Sequence, residues 1–338
     1  MTNIAILGAG SWGTALAIVF SRSPRKHDIS LWARDAALAE ILKRNRENSA
    51  YLPGIFLPAE IHVTHDLCEA TSRARIVIGA MPSAHARSIY SQAAAHLSLG
   101  ATIVSATKGL EPSTHLRISK VITQLLAGEG AADLSRRLAV LSGPSFAAEA
   151  ARGEPTAIVL ASHDSALADE LQEEFAAPGF RVYSNSDVLG VELAGAMKNV
   201  IAIAAGACQG LGLGFNAAAA LITRGLAEMT RLGVALGAKQ ETLFGLAGLG
   251  DLVLTCTGAL SRNRHVGVEL GRGRPLAEIL ASMRMVAEGV GTTAALLALA
   301  GEHDIELPIT GQVDAILHRG KSAREAIRDI MERPLRKE

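Results

Sequence analysis

The chain has 338 residues, room for two domains of ordinary size, and its 33 basic and 33 acidic residues cancel to a formal charge of zero. That balance excludes a global field for gathering nucleic acid or an anionic membrane, so any anion must be held by local groups. Hydrophobic residues make up 49 % but aromatics only 4 %, which implies cores of Ala, Val, Ile and Leu packed closely against glycine.

Along the first half, short aliphatic runs lie near 4–8, 29–32, 61–64, 75–80, 101–106, 138–142, 156–161 and 180–184. Helix-like segments at 35–48, 84–97, 114–126 and 164–175 alternate with them, the pattern of a mostly parallel sheet covered on both faces. Asn3-Ile-Ala-Ile-Leu-Gly8 runs straight into a glycine loop, so the mature fold is expected to begin at residue 2 with no signal peptide.

That loop, Gly8-Ala-Gly-Ser-Trp-Gly13, follows a strand and opens a helix, the context that gives a glycine pattern its meaning. Gly8 permits the tight turn, Gly10 lets backbone approach a pyrophosphate, and Gly13 lets the helix pack against the strand. Free N–H groups and the helix dipole then hold the phosphates of a dinucleotide. The second strand ends Leu31-Trp-Ala-Arg34, where an NAD site usually carries an acidic residue; Arg34 suits a 2′-phosphate, so NADP is admitted beside NAD.

In such a sheet, ligands sit outside the carboxyl ends of the strands. Ser105-Ala-Thr-Lys-Gly109 therefore points Lys108 into the ligand crevice, with Gly143 and Ser145 of Leu141-Ser-Gly-Pro-Ser-Phe146 offering donors nearby. His62, His65, Asp66 and Cys68 read as a structural turn and not a metal site, since the two histidines point to opposite faces of a strand. Cys68, Cys208 and Cys256 form no Cys-x-x-Cys pair and leave one over, as expected in a reducing cytosol.

After residue 187 no strand run continues, and helices are expected at 188–209, 216–236, 275–283, 292–302 and 322–332, the last a solvated terminal helix within 321–338. The domains are thus expected at 1–187 and 188–338. The uncharged stretch 199–223 has the length of a membrane span, but Gln209, Asn216 and the glycines of Gly210-Leu-Gly-Leu-Gly214 make it a break between two buried helices. Lys198 stands at its edge with no carboxylate within one helical turn, so an ammonium in apolar surroundings is expected, its pKa lowered toward neutrality. Gly248-Leu-Gly-Asp251, Thr255 and Ser261-Arg-Asn-Arg264 add a second polar cluster, whose planar donors suit a phosphate.

These blocks, with Ala106-Thr-Lys-Gly-Leu110, Lys198-Asn199 and Val286-Ala-Glu-Gly289, resemble the bacterial NAD(P)-dependent glycerol-3-phosphate dehydrogenases nearly end to end. The resemblance implies a Rossmann-type doubly wound, mostly parallel sheet followed by an all-α C-terminal domain, in a cytoplasmic homodimer without a metal. It implies reversible reduction of dihydroxyacetone phosphate to sn-glycerol 3-phosphate by NADPH or NADH. By the same resemblance Lys198 is the general acid/base, accompanied by Lys108, Asn199, Asp251 and Thr255, and the substrate meets Lys108, Gly143, Ser145, Lys198, Asp251, Ser261, Arg262 and Asn263. The cofactor meets the glycine loop with Ser11 and Trp12, then Arg34, Lys108, Ala147, Arg262, Val286 and Glu288. A ketopantoate or 3-hydroxyacid reductase, or a catalytically silent NADPH sensor, would share part of this pattern.

Overall fold

The computed structural model describes residues 1–98, 100–126 and 136–334, which divide into two compact units: 1–111 with 116–192, and 112–115 with 193–338. In the first unit eight strands form one sheet, β1 (Thr2–Leu7), β2 (His27–Trp32), β3 (His62–Thr64), β4 (Ile76–Gly79), β5 (Thr102–Ser105), β6 (Leu138–Ser142), β7 (Thr156–Ser162) and β8 (Phe180–Asn185). Their order is β3-β2-β1-β4-β5-β6-β7-β8, and every pair is parallel except β6–β7. The order reverses between β1 and β4, the switch point where open α/β sheets bind ligands.

Helices follow the strands: α1 (Ser11–Ser21), α2 (Ala36–Asn45), α3 (Leu67–Thr71), α4 (Ser83–Ala94), α5 (Ile118–Leu126), α6 (Ala147–Arg152) and α7 (Ser165–Phe175). Asp35, Asp66 and Asp164 cap α2, α3 and α7, each side chain accepting from first-turn amides. Three phenylalanines join α1, α7 and β8: Phe20 stacks on Phe175 at 4.6 Å between ring centroids and meets Phe180 edge-on at 6.2 Å. His62 and Thr64 both pair with Glu69, so the histidine turn serves to fasten α3. The helix expected at 114–126 begins only at Ile118, because Leu110 bridges Arg117 and Glu111 N–H donates to Leu116 O, closing a turn first.

Helix α8 (Val188–Gly210) begins in the first unit and continues into the second. There follow α9 (Phe215–Ala235), α10 (Gln240–Phe244), a π-helical turn (Leu246–Gly250), α11 (Asp251–Thr257), α12 (Arg262–Gly271), α13 (Leu276–Ala281), α14 (Glu288–Glu302), α15 (Pro308–His318) and α16 (Ala323–Met331). Among the described residues no strand follows β8. α8 has the length and mean hydropathy, 1.6, of a membrane span, but 94 % of its apolar stretch is buried in protein, as in a core helix. Its neighbour α9 differs from expectation: no residue of 211–224 is buried, and Phe215 is 94 % exposed. α8 and α12 cross with their backbones touching, for a Cβ at Gly206 would lie 2.0 Å from Arg264 O and one at Gly267 2.0 Å from Ile203 O. Residues 335–338 of the expected terminal segment lie outside the described residues; Ser322 and Glu325 form a capping box on α16.

The Glu228 side chain, in α9, accepts from Ile309 N–H at 2.5 Å and from Thr310 N–H and hydroxyl at 3.2 and 3.0 Å, tying down the start of α15. Burial pushes its carboxyl above the ordinary value, against the opposing pull of those donors. A carboxyl raised on folding favours the folded state below its unfolded pKa of about 4.3 and loses that contribution as pH rises through the folded value. Glu228→Gln keeps the acceptor and cannot ionise; its urea midpoint relative to wild type is expected to rise between about pH 4 and 7, and a constant difference would contradict this.

Candidate active site

The glycine loop sits at the switch point, and its glycines answer to different constraints. Gly8 has φ +120° and a Cβ there would lie 3.0 Å from Ala80 O, beyond the end of β4; a Cβ on Gly13 would strike Gly8 O at 1.9 Å. Gly10 meets neither limit: its φ is −78° and a Cβ would find nothing within 4 Å. The space over Gly10 is therefore open for something other than protein. Gly10 brings no capping side chain to α1, and the amides of Gly10, Trp12 and Gly13 have no protein acceptor among the described residues. Such an arrangement fits the pyrophosphate of a dinucleotide.

Arg34 lies two residues past β2, exposed, with no hydrogen bond or ion pair among the described residues; its neighbour Asp35 is occupied as the cap of α2. Lys108 lies three residues past β5 and donates to Gly143 O at 2.7 Å and Ser145 Oγ at 3.3 Å. The expected grouping is present with one polarity reversed, since Gly143 accepts through its carbonyl, and Ser145 also donates to that oxygen at 2.9 Å. Ala147 opens α6 and is half-buried.

In the second unit Lys198 is not the bare ammonium that its own helix implies. Its Nζ lies 2.5 Å from Asp251 Oδ1 and 3.0 Å from Thr255 Oγ1, the partner carboxylate coming from 53 residues away, at the start of α11. All three are buried, Lys198 at 6 % exposure and Asp251 at 1 %. The spacing of Asp251 and Thr255 puts both on one face of a helix, a signal the sequence does contain. Thr255 spends its proton on Asp251 O at 2.6 Å and so accepts from Lys198. The wall is dry enough that burial pushes the Cys256 thiol up to about 12, despite the positive charges of Lys198 and Arg264.

The segment 261–264 is a helix start. Ser261 caps α12 by accepting from Arg264 N–H, which leaves the amides of Arg262 and Asn263 without acceptors among the described residues. Arg262 is exposed by area, yet surrounding protein limits its hydration; this pushes the guanidinium below its ordinary value, with the Glu288 carboxylate opposing. The Asn263 side chain is spent within the protein, donating to Asn199 Oδ1 and accepting from Gly289 N–H, both at 2.9 Å. Asn199 also donates to Gly195 O at 3.2 Å. Glu288 is the first residue of α14, which starts one turn before the expected 292, and Val286 just ahead of it is 48 % exposed.

A switch-point glycine loop in one unit and a buried lysine–aspartate pair in a helical second unit are the marks of two-part dinucleotide-dependent dehydrogenases. A family model described as the NAD-dependent glycerol-3-phosphate dehydrogenase N-terminus matches residues 3–168, and that for the C-terminus matches 187–328. The chain belongs to this family. It is 55 % identical over 335 residues to a glycerol-3-phosphate dehydrogenase [NAD(P)+] of Koribacter versatilis, covering 99 % of this chain and 98 % of that one. A counterpart from Acidobacterium capsulatum is 52 % identical over the whole of both chains. The crystal structure of glycerol-3-phosphate dehydrogenase from Coxiella burnetii superposes with a TM-score of 0.92 at 40 % identity, covering 98 % and 99 % of the two chains.

Gly10→Ala and Gly13→Ala separate the two glycine constraints. Gly10→Ala is expected to unfold within about 2 °C of wild type while NADPH affinity falls about tenfold or more; Gly13→Ala is expected to lose several degrees as well. Thermal unfolding and NADPH titration read both, and equal destabilisation by the two would contradict the assignment.

Proposed function

We propose that this protein is a glycerol-3-phosphate dehydrogenase that reversibly reduces the C2 carbonyl of dihydroxyacetone phosphate to sn-glycerol 3-phosphate, a precursor for glycerophospholipids. The observation that carries this reading is the buried Lys198–Asp251–Thr255 constellation. NADPH or NADH, when bound, supplies the hydride. Reduction of the carbonyl leaves an oxyanion that needs a proton donor within hydrogen-bond reach, and Lys198 Nζ is that donor. Asp251 keeps the ammonium charged in a buried site, and Thr255 fixes its direction; in the reverse reaction the neutral amine takes the alcohol proton.

Residues 188–338 hold substrate in this account and 1–187 hold cofactor. The phosphate is received by the open amides at the start of α12 and by the Arg262 guanidinium, a local anion site in a chain without net charge. Asn263 contributes its backbone N–H there, its side chain being engaged elsewhere. Lys108, held by Gly143 and Ser145, meets both substrate and cofactor. Arg34, exposed and without a hydrogen bond or ion pair among the described residues, supports a 2′-phosphate and hence NADP. The enzyme works as a cytoplasmic homodimer without a metal.

Initial rates with dihydroxyacetone phosphate and either NADPH or NADH test the reading. Lys198→Ala is expected to lower kcat by about 10²- to 10⁴-fold in a folded protein, and Arg34→Ala to raise KM for NADPH but not for NADH. NADPH binding without turnover of this substrate would sink the proposal, pointing to a sensor; turnover of an unphosphorylated ketoacid would point to the rival reductases.

A further inference from the structure

Asn48 lies outside every motif considered so far, yet its side chain bonds to the backbone inside the glycine loop. It is fully buried, at 0 % exposure. Its Nδ2 donates to Ala9 O at 2.9 Å and to Thr14 Oγ1 at 2.8 Å, using both amide protons. The orientation of the amide is forced, because a backbone carbonyl can only accept. The segment that carries Asn48 is itself fixed: its carbonyl accepts from Leu52 N–H at 2.7 Å, Leu57 N–H donates to Arg46 O at 2.7 Å, and Leu52 and Leu57 are buried in the same core as Ala9.

The consequence lies in the next peptide. No peptide in the described chain is cis, so the Ala9 carbonyl and the Gly10 N–H point in opposite directions across one planar unit. Drawing Ala9 O inward to Asn48 turns the Gly10 N–H away from Asn48 and the core. That N–H has no protein acceptor among the described residues, and the space above Gly10 is open. The bond to Thr14, one turn into α1, ties the same peptide to the helix start, where the Trp12 and Gly13 amides have no protein acceptor among the described residues.

The geometry points to Asn48 as a positioning residue for the cofactor: it sets the Ala9–Gly10 peptide so that the Gly10 N–H is presented to a dinucleotide pyrophosphate. This rests on the dinucleotide reading of the loop. Asn48 touches neither cofactor nor substrate and acts through backbone orientation alone.

Steady-state rates, NADPH titration and thermal unfolding of Asn48→Ala, Asn48→Asp and Thr14→Val test it. KM and Kd for NADPH are expected to rise about tenfold or more in the two Asn48 variants and less in Thr14→Val, with kcat falling less than about threefold and KM for dihydroxyacetone phosphate unchanged. In the wild type, which needs no variant to fold, hydrogen exchange at the Gly10 amide is expected to slow about tenfold or more with saturating NADPH. Folded variants that melt earlier but keep KM for NADPH within about twofold would reduce Asn48 to a structural tie and overturn the inference. So would a Gly10 amide whose exchange ignores NADPH. A wild type that binds no NADPH at all would overturn the dinucleotide reading itself, and this inference with it.

Discussion

An ammonium cannot be desolvated without a counter-charge, and the second unit is organised around meeting that requirement at Lys198. Its own helix offers no carboxylate within one turn, Glu192 being six residues back and taken by Arg117 and Ser119, so the partner comes from Asp251, where a π-helical turn gives way to α11. Thr255, one turn on, accepts the second N–H. Asn199, next to Lys198, is held by Asn263, which also holds Gly289, so α8, α12 and α14 are registered by one buried amide. The glycine contacts that let α8 and α12 touch are what allow such short side chains to span the gap. Lys198, the Arg262 helix start and the Glu288 turn are thereby fixed relative to one another.

The first unit solves a different electrostatic problem. A chain of zero net charge binds phosphate only where partial charges are aimed, and backbone amides at a helix start do this without side-chain entropy or a counter-ion. The N-termini of α1 and α12 share the design: Trp12 and Gly13 in the one, Arg262 and Asn263 in the other, have amides without a protein acceptor among the described residues, preceded in one case by glycines and in the other by a serine that caps a single N–H. Arg262, the first residue of α12, adds a full charge to the second.

Much of the first unit was legible because its signals are local. Strand runs and the glycine loop each declare themselves within a few residues, and all eight strands lie where the sequence places them. The antiparallel β6–β7 pair leaves no such trace, since register between strands depends on partners distant in the chain. In the second unit, Ala-rich sequence gives weak periodicity, and α10, α11, α12 and α15 went unread although Pro308 at the first turn of α15 is a start signal. The Lys198–Asp251 pair was illegible for a deeper reason: nothing local to either residue reports a contact 53 positions away. The same holds for Asn48, whose role depends on a loop 39 residues earlier.

The central claim is that Lys198 and Asp251 act as one unit in proton transfer. A double-mutant cycle on kcat/KM with Lys198→Ala, Asp251→Asn and the pair measures this directly. If the account holds, the double variant loses no more than about threefold beyond Lys198→Ala alone, because removing the ammonium already removes the purpose of its carboxylate. Losses that multiply, each substitution costing the same with or without the other, would show that the two residues serve separate ends and would contradict it.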